Sequence, residues 1–179
     1  MPAARFAVSF FHFLLMVVMS GVVIYWTYRT FIRANPDFDM EEEITKGNVA
    51  VGLLVGTIVY SASQILMAGT DSSFQMIRMH ILAPTEANAS LAGLLGRMAA
   101  HLAISMGLAV VSISLTLRLF GRLSRRMHAG KELQKGNLAV GILLSSVVLV
   151  SSIYIKDGVT SLMKALTPQP SFGDIQVVK

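Results

Sequence analysis

Four long apolar stretches alternate with short polar ones along this chain. The first, Phe6 to Tyr28, is interrupted only by Ser9, His12, Ser20, Gly21 and Thr27. The second runs from Gly47 to Gly69, the third from about Ser90 to Leu119 with its apolar part beginning near Met98, and the fourth from Gly136 to Ile155. Crossing a bilayer takes roughly 20 apolar residues at about 1.5 Å of rise each. Each stretch therefore predicts a membrane-spanning helix. The first is too long for the apolar part of a signal peptide, and no small-residue cleavage site follows it, so it is expected to be retained.

The polar segments predict the connections. Arg29 to Lys46 is a short loop with a turn at Asn35-Pro36-Asp37, because proline restricts its predecessor and cannot continue a helix. Asp39, Glu41, Glu42 and Glu43 lead into the second helix, where acidic groups gain about 0.3–1 kcal/mol each from the macrodipole. A capping role at that helix start is the plain reading of Glu43. Residues 70–88 form the longest connection. Its apolar residues surround Arg78 and His80, which predicts an amphipathic turn along the membrane surface, ended by Ala83-Pro84-Thr85. The fourth helix is expected to stop at Lys156-Asp157-Gly158, before an extended or disordered tail with Pro168 and Pro170.

One segment occurs twice. Residues 43–54 read EITKGNVAVGLL and residues 132–143 read ELQKGNLAVGIL, 89 positions apart (132 minus 43). Glu43, Lys46, Gly47, Asn48 and Gly52 recur as Glu132, Lys135, Gly136, Asn137 and Gly141. Shared apolar letters mean little in so hydrophobic a chain, but shared polar and glycine letters do not arise easily by chance. At the same offset His12 pairs with His101, Thr27 with Thr116, and Arg29 with Arg118, so the duplication includes the first helix. The expected organisation is a first two-helix repeat over 1–70, a connection over 71–89, a second two-helix repeat over 90–158 and a tail over 159–179. The fold class is all-α: a polytopic membrane protein with four transmembrane helices from two tandem repeats.

Composition agrees with that class. The chain has 179 residues, 54% hydrophobic and 14% charged, with a mean hydropathy of +0.63; a soluble domain carries nearly twice that charge. Its 15 Lys and Arg outnumber 10 Asp and Glu, but most charges sit between the apolar runs. That distribution fits basic membrane loops rather than a nucleic-acid groove. Zero cysteines exclude disulfides and thiolate metal sites. The loops after helices one and three hold nine basic residues, against six elsewhere. The positive-inside rule then places both termini outside and both hairpin loops in the cytoplasm. With two helices per repeat, the halves should be related by an axis along the membrane normal rather than inverted.

Small and polar residues gather on one face of every helix. His12, Ser20 and Thr27 fall within an arc of about 80°, and His101, Ser105, Ser112 and Thr116 within about 60°, at 100° per residue. Asn48, Gly52, Gly56 and Ser63 line the second helix; Asn137, Gly141, Ser145 and Ser152 line the fourth. Two readings are open. These faces are packing seams, since small residues spaced by four let helices approach closely, or they line a hydrated path. His12 and His101 sit towards the outer ends of their helices, Asn48 and Asn137 towards the cytoplasmic ends, so the two layers should not touch. The histidines are structural, proton-linked or part of a metal site, although no carboxylate or cysteine joins them in the membrane.

No enzyme constellation emerges: no phosphate-binding glycine loop, no His-Glu-x-x-His and no nucleophile elbow. The expectation is no catalytic residue, no metal and no cofactor. Arg122, Arg125 and Arg126, in the basic stretch from Arg118 to Lys135, set topology, contact anionic lipid headgroups at about 1 kcal/mol per charge, or meet the acidic loop of the other repeat.

The twice-occurring Glu-x-x-Lys-Gly-Asn-x-Ala-Val-Gly at the start of a membrane helix resembles the YjfL-like family of bacterial inner-membrane proteins, a domain of unknown function. The resemblance covers roughly Phe6 to Gly158 and rests on Glu43, Gly47, Asn48, Gly52 and their partners Glu132, Gly136, Asn137, Gly141. The long central connection and the tail exceed the compact family pattern. The resemblance implies a bacterial cytoplasmic membrane location and brings no established activity. Neighbourhood with phage-shock-type proteins among such relatives suggests a cytoplasmic peripheral stress protein as partner. The small-residue faces exceed what one compact bundle needs, which predicts a homo-oligomer or a larger membrane complex. The leading functional expectation is a non-enzymatic scaffold or accessory subunit in envelope homeostasis; the alternative is a small ion channel or proton-linked transporter.

Overall fold

Each apolar stretch becomes one long helix in the computed structural model, which describes residues 2–32, 39–82 and 91–166. These helices are α1 (Pro2–Thr27), α3 (Val49–Leu82), α4 (Leu91–Leu123) and α6 (Leu138–Leu166). Two short helices, α2 (Met40–Thr45) and α5 (Ala129–Gln134), sit immediately before α3 and α6. A π-helical turn, Tyr28–Ile32, ends α1, and a 3-10 turn, Arg125–Met127, separates α4 from α5. The protein is a polytopic all-α membrane protein: all four long helices are long and apolar enough to cross a bilayer. The expected turn at Asn35–Asp37, the Ala83-Pro84-Thr85 break and the proline-containing tail lie outside the described residues.

Two helix ends come later than the sequence reading placed them. α3 does not stop at Gly69 but continues to Leu82, so the start of the expected surface turn is a straight extension of the second span. Nothing between Gly69 and Pro84 breaks a helix, and Thr70 returns its hydroxyl to the Leu66 carbonyl (3.0 Å). α6 runs through Lys156-Asp157-Gly158 to Leu166. One glycine costs a helix only about 1 kcal/mol. Thr160 bonds back to the Lys156 carbonyl (2.8 Å) and Ser161 to that of Asp157 (3.0 Å). Lys156 lies about 27 Å along α6 at 1.5 Å per residue, near the far edge of the hydrocarbon. There its ammonium donates to Gln64 Oε1 on α3 (3.1 Å).

α3 is the hub. Half of its span is buried within the protein, against a third for α6 and 17% for α1 and α4. Its Val51, Leu54, Ile58 and Ile65 pack with Ala109 and Ile113 of α4 and with Val140, Leu144 and Val148 of α6. α3 and α6 run side by side in the same direction. Ala50 meets Gly141 near their starts, and Gln64 meets Lys156 further along. The two repeats therefore share one orientation.

Lipid removes the hydrophobic drive between helices, leaving close packing and interhelical hydrogen bonds to hold them. Two glycines allow neighbouring helices to approach closely. A β-carbon on Gly141 would lie 2.9 Å from the Cα, Cβ and O of Ala50, and one on Gly69 would overlap the Ser105 side chain. Gly141→Ala should cost about 1–3 kcal/mol through overpacking. Gly96→Ala, at an exposed α4 site with open space around it, should be neutral or slightly stabilising. Thermal unfolding of the two variants in detergent checks this, and equal melting temperatures would show that α3 and α6 do not need this separation.

Candidate functional site

The repeated motif builds two capped corners. Gly47 and Gly136 hold φ of +81° and +79°, the left-handed conformation that ends a helix at little cost only for glycine. At the first corner Gly47 N donates to Ile44 O (2.9 Å) and Asn48 N to Glu43 O (3.0 Å); at the second, Gly136 N donates to Leu133 O and Asn137 N to Glu132 O, both at 3.0 Å. This double closure, a Schellman motif, satisfies the last carbonyls of α2 and α5. The same asparagine then starts the next helix. Asn48 Oδ1 accepts from Val51 N (3.2 Å) and Asn137 Oδ1 from Val140 N (3.4 Å), filling one of the orphan donors of a helix N-terminus.

The rest of the motif orients that asparagine. Asn48 Nδ2 donates to Glu43 Oε2 (3.0 Å) and Asn137 Nδ2 to Glu132 Oε2 (3.1 Å). The other oxygen of each carboxylate takes a lysine, Lys46 at 3.1 Å and Lys135 at 2.7 Å. Glu-x-x-Lys-Gly-Asn is thus a helix end, a reversal and a helix start in six residues. Glu43 does not cap α3 directly, as its position before the apolar run suggested. It lies in α2, whose own cap is Asp39, accepting from Glu41 N and Glu42 N; Glu43 acts on α3 through Asn48. The Asn48 amide and then Lys46 hold the Glu43 carboxyl below its usual range. Lys135 and then Asn137 do the same for Glu132. Glu42 and Glu43 together raise Lys46.

The corners differ in one respect. Asn48 Nδ2 also reaches the carbonyls of Leu133 (3.0 Å) and Gln134 (3.2 Å) at the end of α5, so it joins the two repeats. Asn137 makes no matching contact with α2; its bonds are those to Glu132 and Val140. Beside it lies an open cleft of about 590 Å³ lined by Arg126, His128, Lys131, Glu132, Lys135 and Asn137, among others. Arg122, Arg125 and Arg126 are exposed, and none of them forms an ion pair with a described residue.

The histidines are elsewhere. His12 stacks on Phe74 of α3 (centroids 3.9 Å apart), and His101 is buried one α3 turn away, where its carbonyl lies near Gly69. Both occupy the end of the bundle opposite the asparagines. Among the described residues His12 Nε2 and His101 Nδ1 have no hydrogen-bond partner, nor do the hydroxyls of Thr27, Ser61, Ser105 and Ser145. Among the described residues no three His, Asp or Glu side chains converge as a metal site would need. Of the two small-residue faces on the corner-started helices, Gly141, Ser145 and Ser152 of α6 are buried, whereas Gly52, Gly56 and Ser63 of α3 are not.

Sequence reasoning missed the capping role of the asparagines. Its signal was there: a Gly-Asn pair directly before an apolar run is a helix stop followed by a helix start. No signal in the chain pointed to the Leu133 and Gln134 carbonyls, which are backbone groups.

A family model described as Domain of Unknown Function (DUF350) matches residues 5–159, and the chain belongs to that family. Comparison with curated proteins and with solved structures returned no match.

Two outcomes follow from the corners. In detergent, Asn48→Ala should lose about 0.5–2 kcal/mol as a lost cap and more than Asn137→Ala, because it also removes the bonds to the Leu133 and Gln134 carbonyls, of which Leu133 keeps its bond from Gly136 N; equal losses would show that the contact between repeats carries nothing. Both carboxyls titrate below their ordinary 4.5 in the folded protein, so their contribution is complete above that value and disappears as pH falls through the lowered folded-state values. The acid loss of thermal stability should flatten in Glu43→Gln with Glu132→Gln, and an unchanged acid slope would place its origin elsewhere.

Proposed function

We propose that this DUF350 member is a non-enzymatic scaffold or accessory subunit of a bacterial cytoplasmic membrane, acting in envelope homeostasis as its resemblance to YjfL-like proteins implies. One observation carries the reading: the asparagine and glutamate of the repeated motif are spent on capping and joining helices. Asn48 divides its amide between a cap, Glu43 and the end of α5, and the α6 stripe of Gly141, Ser145 and Ser152 is buried. A path for ions needs such groups facing water instead.

In the proposed orientation both termini are outside and both corners are cytoplasmic, in keeping with nine basic residues on that side against six. Arg122, Arg125 and Arg126 then face the anionic inner leaflet, at about 1 kcal/mol of attraction per charge. The same surface suits an acidic peripheral partner such as a stress protein.

A second reading, a small channel or proton-linked transporter, draws on different residues. Half-buried His12 and buried His101, Ser61, Ser105 and Ser145 have polar atoms without partners among the described residues, and water in a path would satisfy them. Flux into proteoliposomes separates the two. The scaffold reading expects ion and proton flux no greater than in protein-free vesicles, and weakened assembly in Asn48→Leu with Asn137→Leu. Protein-dependent flux that this double change abolishes while assembly survives would overturn it.

A further inference from the structure

The contact between the two repeats is head-to-tail. Asn48 and Ala50 of the first repeat press on Leu133, Gly136 and Gly141 of the second. A self-complementary pairing would also set Asn137 and Ala139 on Ile44, Gly47 and Gly52, their equivalents 89 positions apart. It does not. Each side of the contact therefore has an unused copy on the other repeat, and three pairs of equivalent positions show it. Ala50 is 0% exposed while Ala139 is exposed. Leu133 is 2% exposed while Ile44 is 40%. A β-carbon on Gly141 meets Ala50, whereas one on Gly52 meets nothing within 4 Å.

We infer that a second copy of this chain covers these faces: Ile44, Thr45, Gly47 and Gly52 of one copy seat against Asn137 and Ala139 of the next, repeating between chains the contact made within each. The cleft beside Asn137 is the place that the end of α5 occupies beside Asn48. In the next copy the end of α2 fills it, and Asn137 Nδ2 donates to the Ile44 and Thr45 carbonyls. Charge agrees with this occupant. The cleft is lined by Arg126, Lys131 and Lys135, and α2 carries three glutamates in its first turn, of which Glu42 and Glu43 share Lys46 while Glu41 forms no ion pair with a described residue. Within one chain no described ion pair links α2 to the basic turn before α5.

A head-to-tail contact repeats until it closes into a ring or runs on as an open array. Because α3 and α6 point the same way, repeated application keeps every copy in one membrane plane. This interface deepens the scaffold reading by supplying its means of self-association, and rests on that reading only for its biological purpose.

The chain has no cysteine, so introduced pairs report cleanly. Two differently tagged chains, one Gly52→Cys and one Ala139→Cys, are co-expressed and oxidised in native membranes. The expected result is a disulfide dimer containing both tags, at least tenfold above either variant alone, and a ladder of multimers from a chain carrying both changes. Thermal unfolding of each single variant, compared with that of the unchanged chain, reports that the fold is intact. Absence of the mixed dimer while both variants unfold like the unchanged chain would overturn the interface, as would Ala139→Cys dimerising with itself as readily as with Gly52→Cys. Flux measurements keep the two ideas apart. A conducting protein that crosslinks loses the scaffold reading and keeps the interface; a non-conducting protein that does not crosslink loses the interface alone.

Discussion

Backbone groups at a helix end have no partner in their own helix, and lipid offers them none. The corners of this protein answer that constraint with a single amide. Asn48 belongs to both the end of α2 and the start of α3, and its Nδ2 reaches across to the last carbonyls of α5. The glutamate and lysine of the motif fix which way the amide points. Everything deeper in the bundle depends on this anchor, because it sets where α3 begins and where it lies relative to the second repeat.

From the anchor inward, specificity passes from hydrogen bonds to shape. Ala50 rests on Gly141 two residues past the asparagine, and Ser105 rests on Gly69 towards the other end. Between them the α3 core of Leu54, Ile58 and Ile65 packs against α4 and α6. Lys156 and Gln64 close the far end with a polar contact. The histidines lie at that end and take no part in the corners, so the duplicated polar positions serve two separate levels of the bundle rather than one shared site.

Duplication gives the chain two copies of each face, and one chain uses only half of them. Gly141 and Leu133 are covered while Gly52 and Ile44 are not. In lipid, exposed apolar side chains are ordinary; what distinguishes these faces is that their equivalents already make a contact.

The sequence by itself determined the four spans, the all-α membrane class, the twice-occurring motif and the identity of its residues, because apolar length and repeated polar letters are properties of the chain as written. It also held the glycine–asparagine pair that stops one helix and starts the next. Only the tertiary structure decided what Asn48 does with its second hydrogen, since Leu133 and Gln134 offer backbone carbonyls that no side-chain pattern reveals. The same holds for the ends of α3 and α6: Thr70 and Thr160 turn their hydroxyls onto carbonyls of the preceding turn, so polar residues that composition marked as connections sit within a helix. Equivalent letters in the two repeats predict equivalent roles, yet Gly52 and Gly141 have different neighbours. One chain can place only one copy of each face in its interior, and the choice is made by packing.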